Sequence, residues 1–477
     1  MTLVRAAQTL TLVSLAWGIL AFGGTYQWAS RSLAVLVVLA SAACWLASPR
    51  AKRWPKAIIV TMVFLLVAVG VQLVPLDQST IVRLNPARHE MLRSLWLSYR
   101  FDPATRHALS IDPALTAWAM TFYGVLCVWV LSVAVLLTST GVRWLVKGLT
   151  VLGVATAVFG IIQNAVYDGR VYGFWTPESE FATPFGPFIN RNHFAGWMLM
   201  VLPLALAWLA FDLRRAAGTV RSDWRSRFLW LTSDQGSRSA LLGVAGATMT
   251  LSIAATLSRS GVVCLFASMV FVVGFLLVGR LRWQVKLLFG AAPLILGVGA
   301  LMWVGPAIFD RIGTLQTAGA EDRLTIWRDA ISIGQPFSGM GIGLNTYGTA
   351  TTIGPNRFRD VHVAQVHNDY LQLWVEGGVL LCIPALLLVG ALVREAVKQF
   401  GRERELRWFR VAAIVGMSAV LMQEFVDFSL QMPGNLLVFA TLVAIVIHGP
   451  RPASHGRESL RTGRRPSGAA ADVVLAP

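Results

Sequence analysis

The chain has 477 residues, of which 55% are hydrophobic and only 14% charged, with a mean hydropathy of +0.61. A soluble domain carries about one quarter charged residues, so that class is excluded, and the apolar runs lack the period-two alternation of a membrane β-barrel. The formal charge of +17 would suit nucleic acid, but the basic residues sit in short segments between apolar runs, which points instead to orientation in a membrane and to anionic head groups.

Apolar runs place spans at about 9–26, 32–48, 57–75, 114–138, 144–166, 193–212, 239–257, 260–279, 285–305, 370–393, 407–428 and 433–448. A helix satisfies its own backbone in lipid. The expected fold is therefore an all-α, polytopic membrane protein of about twelve transmembrane helices. The first run has no convincing small-x-small cleavage site and is read as an uncleaved span. With the N-terminus inside, the inner segments hold roughly 27 of the 41 Lys and Arg residues, the bias expected of cytoplasmic loops. Three longer excursions then face outward, at about 76–113, 167–192 and 306–369. Within the last, Leu324, Trp327 and Ile331 recur at helical spacing, so an interfacial helix is expected from Asp322 to Gln335. Pro336 and the run Gly339 to Gly343 should end it. The tail from 449 to 477 reads as disordered and cytoplasmic.

Cys44, Cys127, Cys264 and Cys382 lie inside apolar runs without metal-ligand spacing and read as buried apolar residues. No catalytic metal and no cofactor are expected. His193, His362 and His367 do not form a metal-binding spacing.

Apart from Arg191, the residue types that carry chemistry lie in the last half of the chain. His367-Asn368 stands at the mouth of the tenth run, and a histidine accepts protons near neutral pH. Its plainer reading is an interfacial helix cap. Arg259 sits in the tight turn Ser258-Arg259-Ser260-Gly261, Arg323 opens the interfacial helix, and Arg191 precedes another span. Guanidinium groups bind phosphate through paired hydrogen bonds; for any single arginine the plainer reading is snorkelling or a salt bridge. Glu376, Glu424 and Asp427 are costly charges within spans, read first as partners that hold the arginines. Glu424 and Asp427 are three apart and are expected to share one face of the eleventh span. The alternating glycines 339, 341 and 343 would let backbone amides approach a phosphate, although such runs are more often turns.

At these residues the chain resembles the O-antigen ligase and Wzy-type polymerase family of bacterial membrane glycosyltransferases. The resemblance rests on His367-Asn368 followed at the family's interval by Gly378, on Ser258-Arg259-Ser260-Gly261, and on Arg323-Leu324-Thr325-Ile326-Trp327 with Pro336 and the glycines through Gly343. The stretch from Gly186 to Gly196 resembles the entry to the family's core, so the likeness covers about 183–435. It implies N-terminal helices over 1–182, a catalytic membrane region over 183–448 with a periplasmic loop at 306–369, and an active site facing the periplasm of the inner membrane.

The resemblance also implies transfer of a glycan from undecaprenyl diphosphate to an acceptor hydroxyl, in lipid A core or a growing polysaccharide. Arg259 and Arg323, with Arg191 as a weaker extension, would bind the diphosphate. His367 would activate the acceptor, supported by Asn368, Glu376, Gly378, Glu424 and Asp427. A polymerase shares this chemistry. A transporter is the rival from another class, disfavoured because the marked residues cluster at one surface rather than at the midplane of repeated halves.

Overall fold

The computed structural model describes residues 2–48, 55–219, 224–278, 319–354, 362–400 and 406–449. The expected ninth span at 285–305, Arg311, Arg357, Arg359 and the tail from 450 lie outside the described residues. Within them the protein is all-α, with isolated β-bridges in place of sheets.

The chain opens with three apolar helices, α1 (Thr2–Leu20), α2 (Gln27–Ala47) and α3 (Lys56–Leu73). The expected span 9–26 therefore ends early, at Leu20. Gly23 and Gly24 take φ of 69° and 77°, and a Cβ on Gly23 would lie 2.7 Å from the Phe188 ring, so the turn needs glycine there. The second span starts earlier than expected, at Gln27. Its Arg31 does not break the helix, because it lies exposed and donates to Gln27 one turn back.

The first excursion folds into α4 (Gln78–Leu84), α5 (Pro86–Leu95) and α6 (Leu97–Phe101). Asp77 and Asn85 cap α4 and α5 through their side-chain oxygens, and paired 3.0 Å hydrogen bonds between Leu76 and His107 close the excursion. Then α7 (Pro113–Thr140), capped by Asp112, α8 (Arg143–Ala165) and α9 (Arg191–Thr219) return through the bundle. The short α10 (Trp224–Leu231) leads to α11 (Asp234–Ala255) and α12 (Arg259–Val278).

Beyond the undescribed stretch come α13 (Gly319–Gly334), α14 (Tyr347–Ile353), α15 (Asp369–Phe400), α16 (Leu406–Gln423) and α17 (Pro433–Ile447). The interfacial helix expected at 322–335 is α13. Among the described residues nine helices are long and apolar enough to cross a membrane, and α17 is a shorter apolar helix. Even 18 residues span about 27 Å, close to a hydrocarbon core of roughly 30 Å.

Helix α9 is the hub of this bundle. From Trp197 to Leu202 every side chain is buried, because α8, α11, α12, α16 and α17 surround it. Small residues permit the close approaches. A Cβ on Gly416 of α16 would lie 2.6 Å from the carbonyl oxygen of Met200. A second, smaller core of Ala330, Ile333, Ile342, Tyr347, Val366 and Val375 lies where α13 and α14 pack on the start of α15. This small core sets the position of the segment that carries His367.

Candidate functional site

Local sequence explains how His367 is held. Asn368 is the N-cap of α15, its Oδ1 accepting from the Leu371 amide at 3.0 Å. His367 just before it has φ of 56°, a left-handed conformation that costs a non-glycine residue about 1–2 kcal/mol. Its neighbours fix that conformation. Trp327 of α13 donates from Nε1 to the Val366 carbonyl at 3.1 Å, and the Val366 amide donates to Gln372 Oε1 at 2.9 Å.

The imidazole of His367 then stands perpendicular to the Phe428 ring, with centroids 4.7 Å apart. His193, from the first turn of α9, packs perpendicular to the same ring at 4.6 Å. Its Nε2 lies 3.8 Å from Asp427 Oδ1. Among the described residues neither ring nitrogen of His367 has a hydrogen-bond partner, and Nδ1 is buried. Burial, and next the charge of Arg323, push the His367 imidazole down to about 4, so the ring is neutral at physiological pH.

The acidic residues differ from expectation. Helix α16 ends at Gln423, so Glu424 and Asp427 do not share a helix face; they lie in the non-helical turn beyond it. Unwinding lets Asp427 Oδ1 accept from the Phe428 amide at 2.9 Å, a bond that a continuing helix would use up on its own carbonyls. Burial raises the Asp427 carboxyl to about 6, against that amide, the charge of Arg323 and the Asn192 and Gln423 side chains, which lower it. Glu424 faces another carboxyl, Asp369, with the Leu430 amide opposing that repulsion. Burial and that neighbour hold Glu424 well above the usual carboxylate range.

Glu376 and Gly378 organise backbone. Glu376 is buried within α15 and caps the 345–347 turn, accepting from the Asn345 amide at 2.7 Å and the Tyr347 amide at 3.1 Å. Gly378 interrupts α15 with φ 57° and ψ −161°. The interruption frees ladder groups that the glycine run satisfies. Val379 and Leu380 donate to the carbonyls of Ser338 and Gly339 at 2.8 and 3.0 Å, while Ile342 and Gly343 donate to Val375 and Glu376 at 3.1 and 3.0 Å. A Cβ on Gly341 would meet the Glu376 carbonyl oxygen at 2.1 Å. The amides of Ile342 and Gly343 are thus spent on this interlock and are not turned to a ligand.

The arginines are placed at the same end of the bundle. Arg323 lies in the field of both His367 and Asp427. Arg259 begins α12 as an exposed residue, behind Leu257 in a left-handed φ of 55° and Ser258, whose Oγ accepts from Gly261 at 3.2 Å. Gly261 packs on Ala195 of α9, and Cys264 one turn on lies in the field of Glu424 and Asp427. Arg191 opens α9, half-buried, its amide donating to Thr183 at 2.7 Å.

A cavity of about 360 Å³ lies beside this cluster, between α3, α7, α15 and α17. Asp369 lines it, but Arg191, Arg259, Arg323 and His367 do not. Sequence reasoning missed three participants. Asp369 directly follows His367-Asn368 and received no role, His193 received only the metal test, and Phe428 looked like one more apolar residue. The only available signal for His193 was its place in the Asn190-Arg191-Asn192-His193 stretch, already marked by its resemblance.

No curated protein matches the chain. A family model described as O-antigen ligase matches residues 244–386, from α11 through the kink of α15. That span holds the Arg259 turn, α13 with Arg323, the glycine interlock and His367-Asn368, so the chain carries a domain of the O-antigen ligase family, the family its motifs resemble.

Proposed function

We propose that the protein is a glycosyltransferase that moves a glycan from undecaprenyl diphosphate to an acceptor hydroxyl at the periplasmic face of the inner membrane. The observation that carries this reading is a neutral, partly buried His367 within the field of Arg323, inside the matched family domain. Residues 183–448 would form the catalytic region.

In this reading Arg259 and Arg323 bind the diphosphate, with Arg191 nearby. His367 accepts the proton of the acceptor hydroxyl as that oxygen attacks the anomeric carbon. The bond from that carbon to the diphosphate oxygen breaks, its electron pair leaves with the diphosphate, and the fixed guanidinium charge offsets the developing negative charge. Attack opposite the leaving group inverts the anomeric configuration. The arginines supply the charge stabilisation that a metal ion gives elsewhere, so the reaction is expected to run without one. Asn368 orients His367 as the cap of its helix. Asp427 and Glu424 would hold the far side of the cluster.

The acceptor would be lipid A core for a ligase or a second lipid-linked glycan for a Wzy-type polymerase. Purified protein with a lipid-linked glycan and either acceptor tests this. EDTA-insensitive transfer to lipid A core supports the ligase, and lengthened lipid-linked chains support the polymerase. Movement of donor between leaflets without transfer contradicts both and favours a transporter.

A further inference from the structure

The cavity beside the His367 cluster is built for a ligand of different chemistry from a diphosphate. Its deep walls are apolar, from Leu66 of α3, Phe122 of α7 and Leu381 of α15. Its other end, at the helix starts, is lined by hydrogen-bonding groups, the amides of Asn345, Gln365, Gln372 and Gln431 with the carboxyls of Asp369 and Glu376. Gln372 Nε2 has three acceptors within reach, Gln365 Oε1 at 2.7 Å, Glu376 Oε1 at 3.0 Å and Gln431 Oε1 at 3.1 Å. An amide nitrogen has only two hydrogens, so Gln372 serves two of these at a time, and Glu376 Oε1 also accepts from the Tyr347 amide.

Two further groups facing the same space, the Tyr123 hydroxyl and the Asn345 side-chain amide, have no hydrogen-bond partner among the described residues. The lining includes the carboxyl groups of Asp369 and Glu376 and no Lys, Arg or His. A phosphate placed there would lose its hydration without gaining a cation. Hydroxyl groups that both donate and accept would satisfy the amides and the tyrosine. The volume of about 360 Å³ falls within the roughly 300–1,000 Å³ of small-molecule sites.

We infer that this cavity binds the uncharged, hydroxylated terminal sugar of a membrane-borne glycolipid, with Asn345, Gln365, Tyr123 and Gln431 meeting its hydroxyls and the apolar walls taking its C–H faces. This assignment rests on the transferase reading in one respect, that the sugar bound here is the acceptor. The donor diphosphate belongs on the cationic side, near Arg323. Asp369 stands between the two, lining the cavity and facing Glu424.

The test is photolabelling of the full chain in lipid nanodiscs with an alkyl glucoside bearing a diazirine in its chain. An alkyl phosphate with the same diazirine chain serves as the control. The glucoside should label residues of this cavity at least tenfold more than the phosphate does. Ala119→Trp, which fills the cavity, should reduce labelling about tenfold. Tyr123→Phe keeps the shape and removes one hydroxyl, and should reduce it several-fold at unchanged melting temperature. Equal labelling by both probes, or labelling unaffected by Ala119→Trp and Tyr123→Phe, overturns the assignment. Arg323→Ala separates the two readings: it should lower glycan transfer about 10²–10³-fold and leave glucoside labelling intact. Labelling as predicted in a wild-type protein that transfers no glycan would sink the transferase reading and leave the sugar site standing.

Discussion

His193 Nε2 stands 3.8 Å from Asp427 Oδ1, and both side chains are almost fully buried. The contact joins the first turn of α9 to the turn beyond α16, and with Phe428 it forms the floor on which His367 rests. Since burial lifts Asp427 to about 6, the carboxylate is charged above that pH and neutral below it. Glycan transfer is therefore expected to weaken as pH falls through about 6. A second fall near pH 4 belongs to His367, which must be neutral to accept a proton. In Asp427→Asn the limb near 6 should disappear and the fall near 4 remain. An unchanged limb in that variant would assign it to another group.

The Glu424–Asp369 pair makes a stability prediction with a defined sign. A carboxyl group raised on folding binds its proton more tightly in the folded protein. Its stabilisation is present below the unfolded value and is lost as pH rises through the folded one. Glu424→Gln imitates the protonated form. It should melt a few degrees above wild type at pH 8, with the difference shrinking towards pH 5. A variant less stable than wild type at pH 8 would mean that the charge at Glu424 is needed.

Arg323 and Lys would differ at this site. The expected role requires a planar donor fork facing phosphate oxygens, which lysine lacks. Arg323→Ala should lower the transfer rate about 10²–10³-fold, by analogy with removal of one charge-stabilising donor. Arg323→Lys should recover only part of that loss at unchanged melting temperature. Full recovery with lysine would show that charge alone matters.

The interlock of α15 with the glycine run predicts intolerance to a methyl group. Gly378→Ala requires a left-handed φ, and its Cβ would meet the Gly341 amide nitrogen at 2.6 Å and the Gly339 and Ser338 carbonyl oxygens at 2.7 Å. These are backbone atoms, which cannot swing aside, so the folded yield should drop sharply. Glu376→Gln keeps the shape but puts an NH2 against backbone donors, and should cost about 1–3 kcal/mol. Thermal melting in nanodiscs checks both, and a wild-type melting temperature in Gly378→Ala would contradict the interlock.

The helices were legible because apolar runs must be long to cross lipid, but several ends were not: α1 starts earlier, α9 and α15 run on past the expected ends, and α16 stops short of its own. A cap at the start of α15 was expected of His367, and Asn368 supplies it instead. What escaped was everything that depends on contact between distant segments. Nothing local in Gly339 to Gly343 says that its amides bond to a broken helix 35 or so residues later rather than to a phosphate. Three-residue spacing put Glu424 and Asp427 on one helical face, but the helix had already ended at Gln423. His193 and His367 lie far apart in the chain, and only packing against Phe428 brings them together.

The central claim is that His367 receives the acceptor proton in a glycan transfer. The most direct measurement is single-turnover release of undecaprenyl diphosphate from a lipid-linked glycan by purified protein, comparing wild type with His367→Ala at matched melting temperature. The account predicts a loss of about 10²–10⁴-fold in the variant, the range of general acid–base catalysis, with donor binding retained. Release at the wild-type rate in His367→Ala would contradict it.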